Sequence, residues 1–470
     1  MLRHTKIIAT LGPAVADEAG VRGLVEAGMD VARLNFSHGD HDFHRALAGW
    51  VREAVRETGR EVAILQDVQG PKLRVGEFPA GAIRLKKGDQ VRLVSHSGVG
   101  GRDVIPVGYD QLLNDVLPGH RVLLADGLIQ LDVIGLSDDG LVAEVQVGGD
   151  LSDHKGVAFP DSLLSTKSVT PKDEIDIAFG RELGVDYVAA SFVRTGDDVR
   201  RVGELSGDVP VIAKIELAQA YENLDDILEP SFGVMVARGD LGVQLPLERI
   251  PLIQADILRR TNAAGRISIT ATEMLESMTK NPRPTRAEVT DVATAVIAGT
   301  DAVMLSGETA VGDYPAQTVA AMAEICRVVE EDTLSNRGEH PVPFVGDGNT
   351  VASAVAQAAT GVAVNLGATA IVAFTESGNT ARLISKYRPE GRIVAFSPNE
   401  GTLRRMALFW GVSPHEFERR DHSDDEMAAG SAILVQEGLA NVGDTVVMVA
   451  GVPPNIQAST NLLKVQVIGD

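Results

Sequence analysis

The chain has 470 residues and is 44% hydrophobic but only 4% aromatic, so Ala, Val, Ile and Leu must fill the cores of roughly two to four domains. Its 43 basic and 65 acidic residues give a net charge of −22, which excludes a general nucleic-acid binder and leaves anionic ligands to a few local cations. The single cysteine, Cys326, cannot form an internal disulfide and fits a reducing, cytoplasmic setting.

From the N-terminus, the first apolar run starts at Lys6 and ends at Gly12-Pro13, unlike a signal peptide. No apolar run reaches the ~18 residues that a bilayer span requires, so no membrane partner is expected. Short β-rich runs then recur, each followed by a helix-like segment: Lys6–Pro13, Val31–His38, Val62–Gly70, Val185–Val193, Val209–Glu216, Gly233–Gly242, Ile267–Met274 and Ala302–Thr309. Alternating strand and helix implies parallel strands with crossover helices, and eight such units predict an α/β fold, a (β/α)8 TIM barrel. A doubly wound open sheet is the competing arrangement.

The rhythm breaks between Gly70 and Val185. Alternating segments there (Ala82–Leu85, Gln90–Ser95, Arg121–Leu124 and Leu141–Val147) are separated by Asp126-Gly127 and Asp139-Gly140 turns. They predict a small β-barrel domain inserted in a barrel loop. After Thr309 a helical stretch runs to about Glu331, followed by a linker from Asn336 to Asn349. Strands at Ala368–Phe374, Arg392–Phe396, Thr445–Ala450 and Leu463–Ile468 then predict a C-terminal α/β domain. The expected division is 1–71 and 158–335 for the barrel, 72–157 for the insertion and 336–470 for the last domain.

Alternate residues of a strand share a face, which places Arg33, Asn35 and Ser37 in one file and Lys214 with Glu216 in another. Apolar side chains are the default inside a barrel, so polar groups at strand ends need an explanation, and Asp67, Asp240 and Thr272 extend the set. A satisfied polar layer is the bland alternative. Glu216 and Asp240 supply the one or two carboxylates that Mg²⁺ takes from protein. Arg33, Arg74 and Lys214 can neutralise a phosphoryl group in transfer. No Gly-Lys dipeptide occurs, which excludes a Walker P-loop, and no complete Gly-x-Gly-x-x-Gly occurs either. His38, His41 and His44 are better read as loop and helix-start residues than as a transition-metal site.

Several long stretches resemble pyruvate kinase: Arg33-Leu34-Asn35-Phe36-Ser37-His38-Gly39, Lys214-Ile215-Glu216, Met235 to Gly242, Thr270 to Met278, Asn281 to Glu288 and Met304 to Thr309. The resemblance implies a barrel, an inserted domain that closes over the site and a C-terminal α/β domain. It implies phosphoryl transfer from phosphoenolpyruvate to ADP, with Glu216 and Asp240 as ligands of Mg²⁺ or Mn²⁺. Lys214, Arg33 and Thr272 match the catalytic positions, and Gly239 and Asp240 join them at the substrate. Arg74, Lys155 and His38 match positions near nucleotide. Asn35, Ser37 and Asp67 match the ligands of a monovalent cation, and Thr375, Ser377, Asn379 and Thr380 match a loop for a phosphorylated effector. The family also implies a homotetramer with the Glu276–Glu288 stretch near an interface.

Two departures carry weight. Where potassium-dependent relatives have Asp-Thr-Lys-Gly-Pro-Glu, this chain has Asp67-Val68-Gln69-Gly70-Pro71-Lys72, so K⁺ is not expected to be required. In the effector loop Glu376 stands where bisphosphate-activated relatives have Lys, which favours a monophosphate. A metal-dependent pyruvate aldolase and an inactive sugar-phosphate sensor are the rival functions. The insertion and Lys214-Ile215-Glu216 oppose the first, and the retained polar set opposes the second.

Overall fold

Local chemistry starts and stops the helices. Asp17 and Asp40 accept hydrogen bonds from Gly20 and Phe43 at the first turns of Glu18–Ala27 and His41–Thr58. Thr170 with Asp173, and Thr285 with Glu288, form reciprocal capping boxes before Pro171–Leu183 and Arg286–Ile297. The structure, a computed structural model, describes residues 3–96, 98–335, 350–452 and 460–469; the expected linker from Asn336 to Asn349 lies outside them.

Eight parallel strands close into a barrel in the order Lys6–Leu11, Ala302–Leu305, Ile267–Ala271, Gly233–Ala237, Val211–Ile215, Tyr187–Ala190, Ala63–Asp67 and Val31–Asn35. Each strand is shorter than its sequence run, because the polar ends leave the hydrogen-bonded ladder. Arg238–Gln244 and Gly307–Ala310 coil into short helices directly after their strands. Ser37 is likewise in a turn beyond Asn35, which corrects its assignment to one strand file with Arg33 and Asn35. Inside the barrel Ile8, Leu65, Ile212, Met235, Ile269 and Met304 meet Ala63, Ala189, Ala271 and Ala302, and Tyr187 adds an aromatic ring.

Between Ala63–Asp67 and Tyr187–Ala190 the chain builds a six-stranded and a two-stranded sheet around their own apolar core, including Val91, Leu93, Ile105, Leu131 and Val145. Four of these strands escaped the sequence reading: Val104–Val107, Ile129–Leu136, Gly149–Ser152 and Val157–Ala158. The second is interrupted by a register shift between Val133 and Gly135, which blurs its alternation.

The C-terminal sheet runs Val412–Glu416, Arg392–Ser397, Ala370–Phe374, Thr445–Gly451 and Thr460–Val467, with only the last antiparallel. Val412–Glu416 was missed because Pro414 breaks a strand pattern; the strand sits at the sheet edge, where Pro is tolerated. This domain is riveted to the strand beginnings of the barrel. Tyr187 donates to the Arg405 carbonyl at 2.7 Å, and Arg404 meets Asp186 at 2.9 Å. Fully buried Asp301 pairs with Lys386 and, at 2.8 Å, with Arg388.

Burial pushes the Asp301 carboxyl up, but the two cations more than offset this and hold it below the usual carboxylate range. Its contribution to stability is therefore complete above the unfolded value of about 4 and is lost as pH falls through the lower folded value. Asp301→Ala leaves two buried cations unpaired and should destabilise the domain contact by about 3–5 kcal/mol. Denaturant unfolding followed from pH 7 to pH 3 checks this: the midpoint should drop at neutral pH in the variant, and its further loss in acid should be shallower than in wild type.

Candidate active site

The ends of the second, third, fourth and fifth barrel strands meet around one buried ammonium. Lys214 Nζ lies 2.8 Å from Glu216 Oε1, 3.2 Å from Asp67 Oδ1 and 2.8 Å from the hydroxyl of Ser191. Ser191 donates onward to the Val68 carbonyl at 2.7 Å. The other oxygen of Asp67 takes Arg33 at 2.7 Å, and Arg33 also donates to Thr10. Two cations and two carboxylates therefore interlock with almost no solvent. Asp67 and Glu216 are each 1% exposed at the side chain.

The electrostatics follow from this enclosure. Burial works against the charge on Lys214, yet Asp67 and Glu216 hold its pKa above the ordinary lysine value. Burial likewise raises Asp67, but Lys214 and Arg33 bring its carboxyl below the usual range. Glu216 goes the other way. Burial pushes it up, Lys214 only partly opposes this, and the nearby charge of Asp240 adds to it, so it reaches about 7. Its second oxygen accepts the Phe192 amide at 2.6 Å, and Phe192 holds a positive φ of 54°.

Thr272 sits just past the seventh strand with φ 69°, followed by Glu273 at 52°. Left-handed backbone is costly for a β-branched residue, at roughly 1–3 kcal/mol, and persists only where surroundings enforce it. Arg238 does so by donating to the carbonyls of Ala271 and Thr272 at 3.0 and 2.7 Å while pairing with Asp291 at 2.6 Å. The Thr272 hydroxyl then accepts the Gly239 amide at 2.9 Å. Asp240, one residue on, is met at 3.2 Å by Lys72 from the hinge of the insertion. Lys72, Asp126, Phe192, Glu216 and Asp240 line one cleft of about 260 Å³ between the barrel and the inserted domain.

The two carboxylates fit a hard divalent cation. Glu216 is a buried acid destabilised by a second acid, a charge excess that a bound cation would relieve. Among the described residues no cluster of three or more His, Cys, Asp or Glu side chains could hold a metal by itself. Glu216 and Asp240 are the carboxylates that could hold Mg²⁺ or Mn²⁺, with water and substrate completing its shell. The histidine series is occupied structurally: His44 stacks on Phe36, and His41 stacks on Phe179 and pairs with Asp176. His38 is exposed.

Other expected residues lie apart from this cluster. Arg74 bridges to Gly156 across the two hinge strands and donates to the His154 carbonyl, which places it beside exposed Lys155. Asn35 accepts the Ser37 amide at 3.2 Å through its side chain. In the C-terminal loop, several of the expected residues already have partners within the chain. The Thr380 hydroxyl is buried against Thr460 at 2.6 Å, leaving Ser377 as the exposed hydroxyl. Glu376 is not a free negative charge, because Arg419 pairs with it at 2.9 Å and Asn399 donates to it. Thr375 accepts the Gly378 amide and Asn379 accepts from Arg382.

Sequence reasoning passed over Ser191 and Arg238. Ser191 lies one residue past the fourth strand, much as Asp67 is the last residue of the third, and a polar residue at that place was the available signal. Arg238 stood inside the stretch used for Gly239 and Asp240.

A closed parallel barrel with this charge cluster at its strand ends, beneath an inserted β domain, has the build of a barrel enzyme whose site lies at the strand ends. The sequence matches the family described as pyruvate kinase, barrel domain, over residues 2–319, and the pyruvate kinase alpha/beta domain over residues 353–466. It is 44% identical to a pyruvate kinase of Geobacillus stearothermophilus across 100% of this chain and 81% of that one. It is 42% identical to one of Corynebacterium glutamicum across 100% and 98%. A crystal structure of a pyruvate kinase from Cryptosporidium parvum superimposes with a TM-score of 0.91 at 35% identity, covering 99% of this chain and 96% of that one. The chain belongs to the pyruvate kinase family.

Ser191 orients the ammonium at the centre of the site. A hydrogen bond to a charged group is worth about 1.5–3 kcal/mol, so Ser191→Ala should lower kcat by roughly tenfold or more. KM should change less, since Lys214 keeps both carboxylates. Steady-state kinetics of the purified variant provide the check.

Proposed function

We propose that this chain transfers the phosphoryl group of phosphoenolpyruvate to ADP, giving ATP and pyruvate. The observation that carries the reading is the buried Lys214 ammonium, fixed by Ser191, Asp67 and Glu216 at the mouth of the barrel. The bond between phosphorus and the enol oxygen breaks as a terminal oxygen of ADP bonds to phosphorus, and negative charge spreads over the phosphoryl oxygens in flight. Lys214 and Arg33 are preorganised cations for that charge and need no solvent reorganisation when it develops. A divalent ion on Glu216 and Asp240 supplies further charge neutralisation when bound.

The enolate left behind takes a proton at carbon to become pyruvate. Thr272 relays it through its hydroxyl and water, because an alcohol alone is a poor acid near neutrality. Gly239 and Asp240 complete the substrate contacts beside Thr272, and Arg74, Lys155 and His38 receive nucleotide phosphates. The same reading includes the division at residues 71, 157 and 335, a homotetramer in the cytoplasm and a phosphorylated effector near Ser377.

Lys214→Met should cut kcat by about 10²–10³-fold or more while KM for phosphoenolpyruvate moves far less. A coupled assay for pyruvate formation reads both, and near-normal turnover in the variant would overturn the assigned role.

The reading also holds that turnover needs no K⁺. Asp67, one of the three family positions with Asn35 and Ser37, already carries Arg33 and Lys214, and Lys72 puts a positive charge on the hinge where potassium-dependent relatives have Glu. Rates in tetramethylammonium and potassium buffers of equal ionic strength should agree, and Lys72→Glu should create a K⁺ requirement. Strong activation of wild type by K⁺ would refute it.

A further inference from the structure

The hinge of the inserted domain is fixed on its barrel side. Gly70 has φ 65°, donates its amide to buried Asp173 at 3.0 Å and packs so closely on Ser191 that a Cβ would approach that side chain to 2.9 Å. Lys72 follows two residues later, and its amide bonds the Gly70 carbonyl at 2.9 Å. The outgoing and returning hinge strands pair beyond it, with Val75 donating to Lys155 and Val157 to Leu73. Lys72 thus leaves the root of the inserted domain and reaches across the cleft to Asp240, 168 positions away in sequence.

That contact is unusual in its choice of partner. Asp240 is one of the two carboxylates fitted to a divalent cation, and the ammonium stands 3.2 Å from its Oδ1. Both side chains remain about one-third exposed, at 31% and 33%, so the pair can open without stranding a buried charge. The insertion approaches the same short helix at a second point: a Cβ on Gly127, in the turn with Ala125 and Asp126 at positive φ, would come within 3.9 Å of Val243.

We propose that Lys72 is a hinge-borne counter-ion for Asp240 that a divalent cation must displace, so that metal loading releases the inserted domain from the barrel. The inference rests on the reading that Glu216 and Asp240 hold the metal. An ammonium and a divalent ion repel one another at contact distance, and Asp240 gains more from the doubly charged partner. The displaced ammonium, still tethered two residues from Gly70, becomes available to an anionic ligand entering the cleft. Because an exposed pair is weak, the latch tunes metal affinity by a small factor and does not block binding.

Mn²⁺ binding to the full-length protein without substrates, read by the electron paramagnetic resonance of free Mn²⁺, tests this without turnover. Lys72→Met should bind Mn²⁺ about 3–10-fold more tightly than wild type, and Lys72→Arg, which keeps the charge, should stay close to wild type. Hydrogen exchange at the amides of Lys72, Val75 and Val157 should speed up on adding Mn²⁺ to wild type and should already be fast in Lys72→Met. Asp240→Asn should lose most Mn²⁺ affinity. Unchanged or weaker binding by Lys72→Met, with binding lost in Asp240→Asn, would overturn the latch and leave the metal reading standing. Full Mn²⁺ affinity in Asp240→Asn would overturn the metal reading itself.

Discussion

An ammonium taken out of water must be surrounded by negative charge, and in this protein that requirement organises the catalytic end of the barrel. Lys214 needs Asp67 and Glu216 within contact distance, and those acids in turn need cations of their own. Arg33 answers for Asp67. Glu216 is left incompletely neutralised: burial and the nearby charge of Asp240 raise its pKa to about 7 against the pull of Lys214. Removing Lys214 would leave buried Glu216 without a cation, and removing Asp67 would leave Arg33 without its acid, so the cluster depends on a rigid barrel to hold its members in place.

The opposite end of the barrel solves a similar problem for a different purpose. Asp301 at the start of the eighth strand is fully buried between Lys386 and Arg388, and Asp186 at the fourth strand meets Arg404. These contacts weld the C-terminal domain to the floor of the barrel, while its apolar core continues that of the barrel interior. The inserted domain is held differently. It keeps a core of its own and meets the barrel near the site through partly exposed groups such as Lys72, with no buried ion pair like that of Asp301 there among the described residues.

Some backbone strain sits at the strand ends of the site. Phe192, Thr272 and Glu273 all hold positive φ at strand ends, and each is part of the site or adjacent to it. Arg238 secures one of these turns through two carbonyls, and the Glu216 carboxylate secures the other through the Phe192 amide. The backbone is thereby fixed before any ligand arrives.

Much of this architecture was legible in the sequence, because period, caps and turn residues act within a few positions. The eight barrel runs, the helices capped by Asp17, Asp40, Thr170 and Thr285, and the polar residues at strand ends are all local signals. So were Arg33, Lys214, Glu216, Asp240 and Thr272 as a set, since charged groups on a barrel's inner face stand out against an apolar default. Sequence could not say who pairs with whom. Ser191 became the partner of Lys214, Arg238 the clamp on Thr272 and Arg419 the counter-ion of Glu376 only once strands distant in the chain were set side by side. Thr380 turned to Thr460 for the same reason, 80 positions away. Secondary structure follows from neighbours along the chain, whereas the strength and partner of each charge depend on burial and distance, which only the tertiary packing of barrel and C-terminal sheet decides.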